Sequence, residues 1–174
     1  MSLTPTLETP RFLCRAVEEG DVDALWPAFS SPEQMRYWSC APFEDRDAFR
    51  AYLLDRKWGG RTWVVVPRKG GPPVFRMVAS SPIFEVAEVG YIMVPGHEGQ
   101  GIARECLTAL LTHLFRAENY HRIFADVDPR NRASNRLLEA LGFTREAHIR
   151  DAMKTHIGWC DSWLWGLLAE EWPH

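Results

Sequence analysis

Asn131-Arg132-Ala133-Ser134-Asn135-Arg136-Leu137-Leu138-Glu139-Ala140-Leu141-Gly142-Phe143 begins thirty residues after the glycine pair of Glu98-Gly99-Gln100-Gly101-Ile102-Ala103. The earlier stretch follows an apolar run closed by Pro95-Gly96 and precedes a helical pattern, so a strand enters a glycine turn and leaves as a helix. Such a turn suits phosphate: missing side chains let backbone N–H groups approach, and the helix N-terminus adds its positive dipole end. Alone, the pattern is often only a tight turn. It lacks the Gly-Lys-Ser/Thr ending of a P-loop, and it lacks the third glycine and early βαβ position of a dinucleotide fingerprint. The later stretch narrows the choice.

Working outward, residues 87–94 read as the strand before the glycine loop, and Ala103, Leu107, Leu110, Leu111 and Leu114 form the apolar stripe of a long helix after it. Residues 122–127 read as the next strand and 134–141 as a short helix ended by Gly142 as a left-handed cap. Upstream, residues 11–17 suggest an edge strand and Glu19-Gly20-Asp21 a helix-cap signal. A second helix is expected over 45–57, with Phe49, Leu53 and Leu54 near one face. Residues 30–42 form a loop between these helices, and 62–66 and 74–79 form a hairpin broken at Gly70-Gly71-Pro72-Pro73. Two further strands are expected near 144–150 and 162–168. The expectation is one domain over residues 1–174, a mixed α+β sandwich with a parallel crossover in its middle.

Composition excludes several classes. The 174 residues carry 20 Lys and Arg against 23 Asp and Glu, a net charge of -3 that leaves no electrostatic footprint for nucleic acid or an anionic membrane. Cys14, Cys40, Cys106 and Cys160 are scattered without a CxxC and read as free thiols of a reducing cytosol. Neither a signal-peptide pattern nor a stretch near the roughly 18 apolar residues of a membrane span occurs, so a cytoplasmic location is expected. The six histidines lack HExxH or paired ligand spacing, and no metal is expected. The eight tryptophans read as packing, with Trp38 the exception.

Together, Gly99-Gln100-Gly101-Ile102-Ala103-Arg104-Glu105-Cys106 and the Asn-x-x-Ser…Leu-Leu-Glu-x-Leu-Gly-Phe run resemble motifs A and B of the GNAT superfamily of N-acetyltransferases. The closer resemblance is to the branch that acetylates ribosomal-protein N-termini. Residues 7–15 resemble that branch's opening and 161–172 its ending, so the likeness covers nearly the whole chain. It implies a GNAT fold: a mostly antiparallel sheet of about seven strands, a splayed parallel pair at its centre, and helices on both faces. It also implies acetyl-CoA as co-substrate, a primary amine as acceptor, and a homodimer as a possible assembly. Where the family motif opens on Gln or Arg this chain has Glu98, whose charge is unfavourable beside a pyrophosphate unless it faces away.

The resemblance also assigns roles. The pantetheine arm inserts between residues 88–94 and 123–127, held by backbone groups of Ile92, Met93 and Val94 and, from the other side, by Asn131. The loop of His97, Glu98, Gly99, Gln100, Gly101, Ile102, Ala103 and Arg104 takes the pyrophosphate. Direct attack of an amine on the thioester needs a base for the ammonium, a donor for the oxyanion and an acid for the thiolate. Glu88 is the candidate base, against a solvent-facing strand carboxylate. Ser134 is the candidate acid, against a helix cap; Tyr91 could replace it, against a packed aromatic. Arg104 and Arg136 either reach phosphate or are solvated, and Glu105 reads as structural. Met35, Arg36, Tyr37, Trp38 and the stretch 149–159, with Arg150, are expected to wall the acceptor pocket. Two alternatives stay open. One is an acyl-CoA-binding module without catalysis; the other is a bulkier donor such as succinyl-CoA, for which Arg36 and Arg150 are the candidate cations.

Overall fold

The computed structural model describes residues 4–55 and 57–173; residues 1–3, on which part of the signal-peptide reading falls, residue 56 of the second expected helix, and residue 174 lie outside it. The chain runs β1 (Leu7–Glu8), β2 (Phe12–Ala16), α1 (Val22–Phe29), α2 (Arg46–Leu53), β3 (Arg61–Pro67), β4 (Phe75–Ile83) and β5 (Val86–Met93). It continues through α3 (Ile102–Arg116), β6 (Arg122–Val127), α4 (Arg132–Ala140), β7 (Thr144–Thr155) and β8 (Gly158–Leu168). Eight strands form one sheet in the order β1-β2-β3-β4-β5-β6-β8-β7. The expected seven become eight because β1, only two residues long, pairs with β2 and takes the edge position expected for residues 11–17.

Strand alternation sends side chains to two helical layers. Ala87 and Val89 of β5, with Ile123, Ala125 and Val127 of β6, meet Leu107, Leu110, Leu111 and Leu114 of α3 and Leu138 of α4. On the opposite face Val64 and Ile92 meet Val22, Leu25 and Phe29 of α1 and Phe49 and Leu53 of α2. Helices on both faces are therefore present. Asp45 caps α2 by accepting from the Ala48 N–H at 2.8 Å, which ends the preceding loop.

The feature that shapes the site is in the middle of the sheet. β5 and β6 pair in parallel only at Val86↔Arg122, Ala87↔Ile123 and Glu88↔Phe124. Beyond Glu88, β5 stays paired with β4 as far as Met93, and β6 stays paired with β8 as far as Val127. The two strands thus diverge while both outer ladders hold, leaving a V-shaped gap whose walls are β5 and β6.

Candidate active site

Which backbone groups face the gap follows from register. The Val94 N–H donates to Val74 O at 3.0 Å, so Val94 points toward β4, and alternation puts Ile92 on the same side. Val89, Tyr91 and Met93 turn their peptide groups to the open side. Of the residues expected to hold the pantetheine, Met93 turns its peptide group to the gap, whereas Ile92 and Val94 turn theirs to β4.

At the wide end of the gap the glycine loop leads into α3. Gly99 and Gly101 have φ of +72° and +74°, a region that favours glycine, and Gly101 is the N-cap of α3 with no side-chain capping bond. The first amides of α3 are therefore open to an anion, the arrangement that fits a pyrophosphate. The Ile102 side chain is in the core, so only its backbone can face a ligand, while Arg104 is exposed and unpaired among the described residues. His97 and Ala103 are half-buried.

Glu98 does not line this cradle with a free charge. Its carboxylate accepts from Gln34 Nε2 at 2.8 Å and from the Gly96 N–H at 2.8 Å. Burial would push its proton affinity up, but hydrogen bonds from its own backbone, Gln34 and Gly96 outweigh that and hold it below the usual carboxylate range. Glu98 is a loop clamp here. A second clamp comes from the start of the chain: Arg11 Nε meets Glu105 at 2.6 Å, the Arg11 N–H meets the same carboxylate at 3.0 Å, and Arg11 Nη1 donates to Gln100 O at 3.1 Å. Glu105 is structural, as read.

Across the gap, Asn131 is the N-cap of α4, accepting from the Ser134 N–H at 3.2 Å. The cap is therefore Asn131, and the Ser134 hydroxyl is free for another partner, donating to Tyr91 Oη at 3.1 Å. The two candidate acids form one hydrogen-bonded pair. Burial pushes the Tyr91 phenol up to about 12, with Ser134 pulling weakly the other way, so Tyr91 is protonated at neutral pH and able to donate. Replacing Asn131 with Ala is expected to cost about 1 kcal/mol of stability, the usual loss for a cap. Ser134→Ala is expected to keep the melting temperature while lowering kcat about tenfold, the low end for losing a hydrogen bond to a charged oxygen on Tyr91. Thermal melts beside steady-state rates separate the two.

Asn135 carries a task the sequence reading left unassigned. It is buried, donates Nδ2 to the carbonyls of Asp128, Pro129 and Asn131 at 3.1, 3.3 and 2.9 Å, and accepts from Trp165 Nε1 at 2.9 Å. It ties the β6–α4 turn to β8. Asn135→Leu leaves these groups without a partner, and urea unfolding is expected to show a loss of about 3 kcal/mol.

On the α1/α2 face lies a cleft of ≈ 410 Å³. Tyr37, Trp38, Tyr52 and Trp58 form its aromatic wall, and Asp55, Glu88, Asp126, Asp128 and Asp161 supply carboxylates. Glu88 stands where the β5–β6 pairing stops, opposite Ser80 and next to a register shift in β4. Burial, then the neighbouring Asp126 charge, push its carboxyl above the ordinary range. Of the expected acceptor residues, Tyr37 and Trp38 line the cleft. Met35 is fully buried between α1 and α2, and Arg36 and Arg150 are exposed away from it. Of residues 149–159 only Met153 and Thr155 contribute. The cation that does line the cleft is Arg76, which the sequence reading missed. Its place inside a β-strand of buried neighbours gave no signal.

A mixed sheet that opens at its parallel pair, beside a helix whose N-cap is a glycine, is the architecture of the GNAT fold. The chain belongs to the Acetyltransferase (GNAT) domain family, which matches residues 11–144, and is an N-acetyltransferase. It is similar to the [Ribosomal protein uS5]-alanine N-acetyltransferase of Escherichia coli, 33% identical over 51% of this chain and 46% of that protein. It is also similar to the spermidine N(1)-acetyltransferase of Vibrio cholerae, 28% identical over 78% of this chain and 80% of that one. In fold it matches the crystal structure of a GNAT-family acetyltransferase from Bacillus anthracis with a TM-score of 0.89, at 24% identity, covering 96% of this chain and 100% of the other. Among the described residues no helix is long and apolar enough to cross a membrane, and no cluster of metal-capable side chains occurs.

Proposed function

We propose that this protein transfers acetyl from acetyl-CoA to a primary amine by direct attack on the thioester. The observation that carries the reading is the gap that opens after Glu88↔Phe124, between a cradle for phosphate and a cleft lined with carboxylates. The peptide groups of Val89, Tyr91 and Met93 offer the pantetheine arm a strand-like partner, and the amides at the start of α3 take the pyrophosphate.

In the cleft, Glu88 accepts a proton from the acceptor ammonium, directly or through one water. The amine lone pair then attacks the carbonyl carbon, and the C–S bond breaks as the tetrahedral intermediate collapses. Tyr91 gives its proton to the departing thiolate, the Ser134 hydroxyl stabilises the phenolate left behind, and the second proton shed by the nitrogen passes through water to restore Tyr91. The acceptor class is an amine on a protein N-terminus or on a small molecule. The acidic, aromatic cleft supports a cationic group, since carboxylates pair with an ammonium and aromatic faces attract it. A thiol-release assay with acetyl-CoA and a panel of amines tests the reading. Acetyl-CoA binding with no release for any amine would leave only a binding module.

A further inference from the structure

Arg76 projects from β4 onto the α1/α2 face, where it is 4% exposed. Its guanidinium lies over the rings of Phe29, 5.3 Å to the centroid, and Tyr52, 5.6 Å. Nε and Nη1 are buried without a hydrogen-bond partner, and among the described residues no carboxylate forms an ion pair with it. A guanidinium stays charged even when burial disfavours its proton, so a charge with orphan donors is enclosed at the inner end of the cleft. The cleft carboxylates other than Glu88 have other partners: Asp55 accepts from the Lys57 N–H at 2.8 Å, Asp128 binds Arg130 at 2.6 Å, Asp161 binds His148 at 2.7 Å, and Asp126 accepts from Ser162. Among the described residues Arg76 is the only basic one lining the cleft.

The charges are laid out along one line. Arg76, Val78 and Ser80 share a face of β4, and Ser80 stands opposite Glu88. Four residues of strand separate the backbone positions of the cation and the Glu88 end, about 13 Å at about 3.3 Å per residue. Resting on the amine-acetylation reading above, we infer that the acceptor is bipolar: its amine lies at Glu88, and it carries a carboxylate that Arg76 binds. The fork of a guanidinium matches a carboxylate, and one enclosed cation neutralises a single negative charge, which disfavours a phosphate dianion. The carboxylate belongs to the acceptor rather than the acyl group, because Arg76 is on β4, with β5 between it and the gap that takes the thioester.

The test uses ω-amino carboxylates from glycine to 6-aminohexanoate, each beside its amide, with acetyl-CoA as donor and thiol release as readout. Wild type is expected to favour at least one carboxylate over its amide by tenfold or more in kcat/KM, mainly through KM. In Arg76→Met that ratio is expected to fall to within twofold of one, and in Arg76→Lys to be partly restored. Amides equal to or better than every carboxylate in wild type, or a preference that survives Arg76→Met, would overturn the inference, as would a change confined to succinyl-CoA over acetyl-CoA. If no amine releases thiol, the proposed function fails and binding decides this inference alone. Quenching of tryptophan fluorescence by the same pairs, measured on CoA-loaded protein, must then favour a carboxylate over its amide in wild type and not in Arg76→Met. Equal quenching rejects it. The wild-type comparison stands even if a variant does not fold.

Discussion

Glu88→Gln is expected to lower kcat by about a hundredfold to ten-thousandfold, the range for losing a general base, with acetyl-CoA affinity unchanged. The pH profile is the sharper readout. Burial and Asp126 raise the Glu88 carboxyl, so its basic form appears only above that raised pKa. In wild type kcat/KM should climb with pH along a limb displaced above the ordinary carboxylate range, and in Glu88→Gln this limb should vanish. Stability runs the other way. Between the unfolded and the raised folded pKa the native state holds more protons, so the carboxyl makes folding less favourable as pH rises through that window. Glu88→Gln is thus expected to melt no lower than wild type at neutral pH. A residue kept for folding would show the opposite: an unchanged profile and a lower melting temperature.

The second large effect belongs to Gly101. Its φ of +74° is one a side chain rarely adopts, and a Cβ there would stand 3.5 Å from Arg11 Nη2, beside the amides that open α3. Gly101→Val combines a left-handed β-branched residue with a methyl pair in the phosphate cradle. Calorimetric titration is expected to show acetyl-CoA affinity reduced at least a hundredfold, about 2.7 kcal/mol by the affinity relation. Because Gly101 lies at an exposed loop, the core helix α3 should still form and circular dichroism should remain native. Undiminished affinity in a folded variant would remove the loop from the cofactor site.

Periodicity and turn chemistry made much of the fold legible. Residues 122–127 coincide with β6 because buried and open positions alternate along it, and Gly142, with φ of +90°, closes α4 where the glycine suggested. The late hairpin was read short. β7 runs to Thr155 with almost every residue exposed, so no apolar alternation marks its second half. Around the candidate site, local backbone geometry was legible where a motif implies it, as at Gly99 and Gly101. The site was not legible where distant segments decide. Gln34, sixty-four residues away in sequence, helps turn Glu98 into a clamp. Met35 read as pocket wall because loop position says nothing about burial, and Arg76 was passed over because strand residues among apolar neighbours are expected to be apolar.

The divergence of β5 from β6 has a thermodynamic side. Tyr91 and Met93, beyond the last β5–β6 pair at Glu88↔Phe124, turn peptide groups to a gap that no strand fills. A ligand that binds the native state alone adds to stability in proportion to the logarithm of its concentration, about 2.7 kcal/mol at a hundred times its dissociation constant. On the proposed function, the folded population is thereby coupled to the supply of acetyl-CoA, and thermal melts are expected to rise with its concentration.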